Sequence, residues 1–244
     1  MSHPEKFRFI HFEVEHSLST IKVGADAVLI GALADKENAR NILDVGTGCG
    51  IIALMLAQRS TARIDAIDID ENSVKEATEN FANSPWNERL KVLHKSLADF
   101  SKNCNQKYDL VVSNPPFFQN DLLPYSRKLQ IAKHATTLSF DSFIKDSKNL
   151  MNEEGCLWVI LPTTEADIFT KKCLTENLFL NRFFEIIPKA GKKPNRLILS
   201  YSKHKTETPE KSDFSIRDKQ GQYSEEYKNL MAQFHPPQYF KKQA

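Results

Sequence analysis

Four consecutive residues, Asn114-Pro115-Pro116-Phe117, carry the most specific chemistry in the chain. Two prolines stiffen the backbone where the apolar run YDLVVS ends, so the Asn114 side chain and the Pro115 carbonyl can point at one spot. Two acceptors so placed suit a planar amino group, which offers two N–H donors and is a weak nucleophile while its lone pair is delocalised. Holding both hydrogens favours the pyramidal nitrogen and aims its lone pair at an electrophilic methyl. Phe117 adds a face for stacking, worth roughly 1–3 kcal/mol for a base on an aromatic ring. Taken by itself, NPPF reads equally well as a rigid connection between a strand and a helix.

A second constellation lies upstream. ILDV runs into Asp44-x-Gly46-x-Gly48-x-Gly50 and then into the helical pattern IIALMLA. Glycines there let the backbone approach a ligand, and the helix start offers unpaired N–H groups. A carboxylate ahead of the glycines is a poor neighbour for a pyrophosphate but suits an ammonium and a sulfonium. The loop therefore favours S-adenosylmethionine over NAD. With it in place, a merely structural NPPF is the weaker reading. Asp68, at the C-terminal end of the second strand AIDID, can accept from two ribose hydroxyls, and Asp70 caps the next helix. Asp99 in SLADF could accept from an adenine amino group, or equally cap a helix or face solvent.

These residues need a frame. RNILDV, ARIDAID, LKVLH, YDLVVS, GCLWVILP, RFFEII and RLILSYS read as seven strands, mostly separated by helical patterns. The expectation is an α/β, Rossmann-like architecture: a seven-stranded, mostly parallel sheet, an antiparallel edge hairpin turning at PKAGKKPN, and helices on both faces. A short leading strand in FRFIHFEVEH, a helix over 24–34 with Asp26 in its first turn, and a terminal helix capped by Ser224 complete it. The chain reads as a single domain over 1–244, with an N-terminal segment 1–35, a core 36–205 and a C-terminal extension 206–244.

Composition bounds the rest. At 244 residues, 41% hydrophobic and 26% charged, disorder and fibrous classes are out. No apolar run approaches the roughly 18 residues of a membrane span, and the charged start does not resemble a signal peptide, so a cytoplasmic protein without a membrane partner is expected. Cys49, Cys104, Cys156 and Cys173 form no CxxC pair, which supports neither metal nor disulfides. The net charge of +2 is mild, but Lys171 to Lys205 carries nine cations against Glu176 and Glu185. A solvated face and a surface for a polyanion are both open there.

DVGTGCG followed by SNPPF resembles class I S-adenosylmethionine-dependent methyltransferases of the amino-methylating NPP[YF] branch. FRFIHFEVEH, IKVGADAVLIGALA, GCLWVILP, GKKPNRLILSY and GQYSEEYKNLMAQF further resemble the bacterial tRNA1(Val) adenine-37 N6-methyltransferase family over most of the chain. The resemblance implies that Asp44, Gly46, Gly48 and Gly50 surround the cofactor's methionine part, that Asp68 holds its ribose and that Asp99 lies near its adenine. Lys22, Gly24 and Asp26 would cover it, with Ala25 and Ala27 where relatives often have Thr and Gly. Asn114, Pro115 and Phe117 would present the adenine.

With tRNA as partner, Arg127, Lys128 and Lys133 in the loop after NPPF, and Lys192, Lys193 and Arg196 in the GKKPNR turn, would meet phosphates. His94 reads as structural and His134 as a phosphate or loop-ordering residue. A monomer without metal is expected. A protein glutamine N5-methyltransferase shares the NPP[YF] chemistry but is expected to carry an extra N-terminal helical domain. An rRNA guanine N2-methyltransferase often has a duplicated domain, for which 244 residues leave no room. The intact glycines, Asp44 and Asn114 argue against a binding module without turnover.

Overall fold

The computed structural model describes residues 6–18, 23–115 and 139–241. In chain order the elements are β1 (Lys6–Arg8), β2 (Glu13–Glu15), α1 (Ala25–Leu33), β3 (Asn41–Val45), α2 (Ile51–Arg59), β4 (Arg63–Asp68), α3 (Glu71–Ala82), β5 (Leu90–His94), α4 (Leu97–Asn103), β6 (Tyr108–Ser113), α5 (Phe140–Leu150), β7 (Met151–Pro162), α6 (Thr163–Thr175), β8 (Phe179–Ile187), β9 (Arg196–Ser202), β10 (Glu210–Ser215) and α7 (Glu225–Met231). Short 3-10 turns occupy Asn87–Arg89 and Pro237–Lys241.

Alternation within β7 explains the layers. Trp158 and Ile160 join one buried cluster with Ile42, Ile64 and Val112 of the sheet and Leu29 and Leu54 of α1 and α2. Leu157, Val159 and Leu161 join the opposite cluster with Phe143 of α5 and Phe169 of α6. A strand with apolar residues on both faces needs helices on both, at roughly 1.5–3 kcal/mol for each large side chain withdrawn from water. Asp70 caps α3 by accepting from Ser73 N at 3.2 Å, and Ser224 caps α7 by accepting from Tyr227 N at 3.0 Å.

The sheet order is β10-β8-β9-β7-β6-β3-β4-β5. Strands β3, β4, β5, β6 and β7 are mutually parallel, and β9 runs antiparallel to both β7 and β8. The expected fold class is therefore observed with one strand more, eight instead of seven. The extra strand, β10, lies outside β8 and parallel to it, so the β8–β9 hairpin sits one strand in from the edge. Its sequence EKSDFS buries only Phe214, and a short polar edge strand gives no alternating signal.

From β3 the chain steps outward through β4 and β5, then returns so that β6 pairs with the other side of β3. The carboxyl ends of β3 and β6 thus flank a topological switch point, the place where open α/β sheets bind ligands.

At the N-terminus the structure has a small antiparallel pair, β1 with β2, in place of one leading strand. Its rings pack on the C-terminal residues. Phe9 stacks on Phe12 at 4.4 Å and on His235 at 4.9 Å, and His235 stacks on Tyr239 at 3.8 Å. Tyr239 continues to Tyr223 at 6.2 Å, which stacks on Tyr227 at 4.7 Å.

Candidate active site

The glycine loop leaves β3 at Val45 and is fastened to β4, where Gly46 N and Thr47 N donate to the Ile67 carbonyl at 2.9 and 3.1 Å. Gly46 has φ +71° and open space where a side chain would be, so only its backbone conformation demands glycine. Gly50 has φ +87°, and a Cβ there would lie 2.5 Å from the Phe81 ring. Gly50 also begins α2, so its turn aims the helix start at the switch point.

Two carboxylates frame this loop. Asp68 Oδ2 accepts from Gly48 N at 2.8 Å and Oδ1 from Asp70 N at 2.9 Å, which fixes the carboxylate while each oxygen keeps a further lone pair. Burial is the chief reason its pKa is raised, opposed by the backbone bonds from Asp70 and Gly48.

Asp44 is fully buried, and burial pushes its pKa up to about 7 despite the hydrogen bond from Thr47 Oγ1 to Oδ2 at 2.6 Å and the backbone N–H of Ala53 at the start of α2. Its Oδ1 has no hydrogen-bond partner among the described residues. A buried acceptor left with a free lone pair beside a glycine loop fits a ligand that brings positive charge and N–H donors, as the ammonium of S-adenosylmethionine would.

Asn114 follows β6 directly. Ser113 Oγ donates to the Val45 carbonyl at 2.7 Å, and Ser113 is in register with both Val45 and Val159. This locks the end of β6 to the start of the glycine loop. Asn114 is half-buried and Pro115 buried, and Asn114 follows Ser113 as Gly46 follows Val45, so the two loops leave adjacent strand ends.

The other expected residues divide. Asp99 is exposed and closes a reciprocal cap on α4: Ser96 Oγ accepts from Asp99 N at 3.1 Å and donates to Asp99 Oδ2 at 2.7 Å. The structure thus gives it the capping role weighed from the sequence. Gly24 is the extended residue that starts α1. Asp26, expected at the cofactor, and Arg196, expected at RNA, are bonded to each other, with Nε donating to Oδ2 at 2.9 Å. Lys192 and Lys193 are exposed in the β8–β9 turn. His94 Nε2 lies 3.0 Å from the Ile69 carbonyl, the structural role expected of it. Lys22, Phe117, Arg127, Lys128, Lys133 and His134 lie outside the described residues.

Asn80 belongs to the site although no motif marks it. Its buried amide donates to the carbonyls of Glu15 at 2.9 Å and Cys49 at 2.8 Å, and its Oδ1 accepts from Glu15 N at 2.9 Å. One turn earlier, Glu76 Oε1 accepts from Leu18 N at 2.8 Å. Together they pin the end of β2 and the residues after it to α3 and the glycine loop. The available signal was the i, i+4 spacing of Glu76 and Asn80 next to Ala77 and Phe81, two polar residues on a buried stripe.

Among the described residues no group of three or more His, Cys, Asp or Glu is gathered as for a metal ion, and no helix is long and apolar enough to cross a membrane. A cleft of about 490 Å3, lined by Asp35, Asn38, Arg59 and Thr61 among others, opens at the amino edge of the sheet, away from all the motif residues.

Comparison with known proteins agrees with this geometry. The methyltransferase small domain family matches residues 16–179. A protein of Parabacteroides distasonis named tRNA1(Val) (adenine(37)-N6)-methyltransferase is 39% identical over 229 residues, covering 94% of this chain and 97% of its own. One of the same name from Histophilus somni is 36% identical, covering 96% and 99%. Among solved structures, a predicted O-methyltransferase from Agrobacterium tumefaciens superposes with TM-score 0.67 at 15% identity, covering 85% of this chain and 96% of its own. A ribosomal protein L11 methylase from Lactobacillus delbrueckii gives 0.51 at 19%, covering 73% and 77%. At such identities the structures speak for the fold alone.

Proposed function

The chain belongs to the tRNA1(Val) (adenine(37)-N6)-methyltransferase family, and from that premise we propose that it transfers a methyl group to the exocyclic amine of adenine 37 in the anticodon loop of tRNA1(Val). The observation that carries this reading is the register of Ser113 with Val45, closed by the hydrogen bond between them, from which Asn114 and the glycine loop leave neighbouring strand ends. That neighbourhood supports a two-acceptor pair working next to a loop suited to a cationic donor.

S-adenosylmethionine, when bound, supplies an electrophilic methyl on a sulfonium. Asn114 and the Pro115 carbonyl accept the two amine hydrogens, so the nitrogen lone pair is freed and directed. Phe117 stacks the base. The proton that the methylated nitrogen must lose would pass to water, so no dedicated general base is assigned. Catalysis rests on orientation and on excluding water. Asp44 Oδ1 would meet the ligand's positive charge and Asp68 the ribose hydroxyls, with Gly46, Gly48 and Gly50 letting the backbone approach. Gly24, Asp26 and Lys22 would close the N-terminal side.

Arg127, Lys128, Lys133, Lys192 and Lys193 would meet RNA phosphates. Extruding an adenine that is already partly unstacked costs a few kcal/mol or less. The chain would act as a single methyltransferase domain and as a cytoplasmic monomer.

The test is transfer of labelled methyl to tRNA lacking the modification, followed by nucleoside analysis. N6-methyladenosine at position 37 of one valine tRNA is expected. Label found only in protein or rRNA would overturn the substrate.

A further inference from the structure

Strand β10 does more than extend the sheet. It is parallel to β8, with Ser215 in register with Ile187, and β9 begins at Arg196 in register with Pro162 at the end of β7. The turns after β8 (188–195) and after β10 (216–223) therefore both project from the carboxyl edge, the edge that carries Gly46, Asp68 and Asn114. They are joined as one unit. Ile216 N donates to the Ile187 carbonyl at 2.9 Å and Ala190 N to the Arg217 carbonyl at 2.8 Å.

The second turn is itself braced. Asp218 N donates to the Gln222 carbonyl at 2.8 Å, Arg217 Nη1 to the Gly221 carbonyl at 2.7 Å, and the Arg217 guanidinium lies 4.5 Å from the centre of the Tyr223 ring. Bracing brings Lys189 of the first turn over the second, its Nζ 3.8 Å from where a Gly221 side chain would begin. The fused tip spans PKAGKKPN and IRDKQGQY, in which five cations face one anion, Asp218. Among the described residues, none of Lys189, Lys192, Lys193 and Lys219 is held in an ion pair.

We propose that this double turn is an RNA-phosphate clamp in which Lys189 and Lys219, brought together only by β10, grip the backbone of the tRNA at a distance from the target base. The inference rests on the proposed tRNA reading and adds a site to it. Three to four strand spacings of about 4.8 Å separate the tip from Asn114, roughly 14–19 Å along the edge. That is beyond the target nucleotide itself, so the clamp meets phosphates several nucleotides away and sets orientation without reading sequence. Charge complementarity and continuity with the reactive edge select RNA over other occupants.

Binding of full-chain protein to an unmodified tRNA1(Val) transcript, measured across a salt series, tests this. Lys189→Gln with Lys219→Gln should weaken binding and lower the slope of log affinity against log salt by about 1.4–1.8, the loss of two phosphate contacts. KM for tRNA should rise, while affinity for S-adenosylmethionine stays at the wild-type value. Lys36→Gln with Lys205→Gln removes equal charge at the amino edge and should leave the slope unchanged. A wild-type slope in the first double variant, or an equal drop in the second, overturns the clamp. Wild-type protein that neither binds nor methylates this tRNA overturns the tRNA reading and the clamp with it.

Discussion

Arg196 Nε donates to Asp26 Oδ2 at 2.9 Å, joining the first turn of α1 to the first residue of β9 across 170 positions of sequence. The pair is about a quarter to a third exposed, with side-chain values of 30% and 26%. It ties the segment expected to cover the cofactor to the hairpin that carries the basic turn. Asp26→Asn, Arg196→Ala and the double variant, compared by urea unfolding, should show a coupling of up to about 1 kcal/mol, the upper end for a pair this exposed. Strictly additive single effects would mean the pair contributes nothing.

Asn114→Ala removes one of the two acceptors at the reacting nitrogen. Turnover should fall by about 10²–10³-fold, the scale for losing one oriented hydrogen-bonding group at a reacting centre. Calorimetric affinity for S-adenosylmethionine should hardly change. A variant with wild-type turnover would refute the role given to the amide.

Asp44 has its pKa raised to about 7, above the unfolded value, chiefly by burial. A raised acid favours folding while protonated, so without ligand its contribution is present below about pH 4 and lost as pH rises through 7. A cationic ligand reverses the preference. Affinity for S-adenosylmethionine should increase from pH 6 to 7.5, with proton release visible as a buffer dependence of the binding enthalpy. Asp44→Asn should abolish both effects.

Asn80→Ala leaves the Glu15 N–H, the Glu15 carbonyl and the Cys49 carbonyl without their partner. Unfolding free energy should drop by about 1–3 kcal/mol, and cofactor affinity should weaken because the glycine loop loses its anchor. Unchanged affinity in the folded variant would confine Asn80 to stability.

His235 has its pKa lowered to about 4 by burial, and neither ring nitrogen has a hydrogen-bond partner among the described residues. A folded value below the unfolded one near 6.5 means that the neutral ring is the stable form. Stability is full above about pH 6.5 and declines as pH falls toward 4. Melting temperature measured over that window should fall less steeply in His235→Phe, which keeps the stack and removes the titration.

The glycine loop, Asp44, Asp68 and Asn114 were legible because each motif is local, its spacing fixed by a single strand-to-loop junction. Helix caps at Asp70 and Ser224 were legible for the same reason. Asn80 was not, since a polar residue on a helix announces neither burial nor partners 31 and 65 positions away. The Asp26–Arg196 pair was hidden likewise, its two members having been given different partners. Strand β10 was missed because an edge strand needs only one apolar residue facing inward. Asp99 was open from the start, and the reciprocal cap with Ser96 is a local contact that the spacing S-x-x-D already allowed.

The rings of Phe12, Phe9, His235 and Tyr239 form one column drawn from both ends of the chain. The β1–β2 pair rests on α3 as well, where Asn80 and Glu76 hold Glu15 and Leu18 and, just beyond the helix, the Trp86 ring meets Phe12 at 5.6 Å, so the column is the second of two supports. Truncation before His235 should therefore loosen one side of Phe9 and Phe12 and expose them to protease sooner, while the sheet stays resistant.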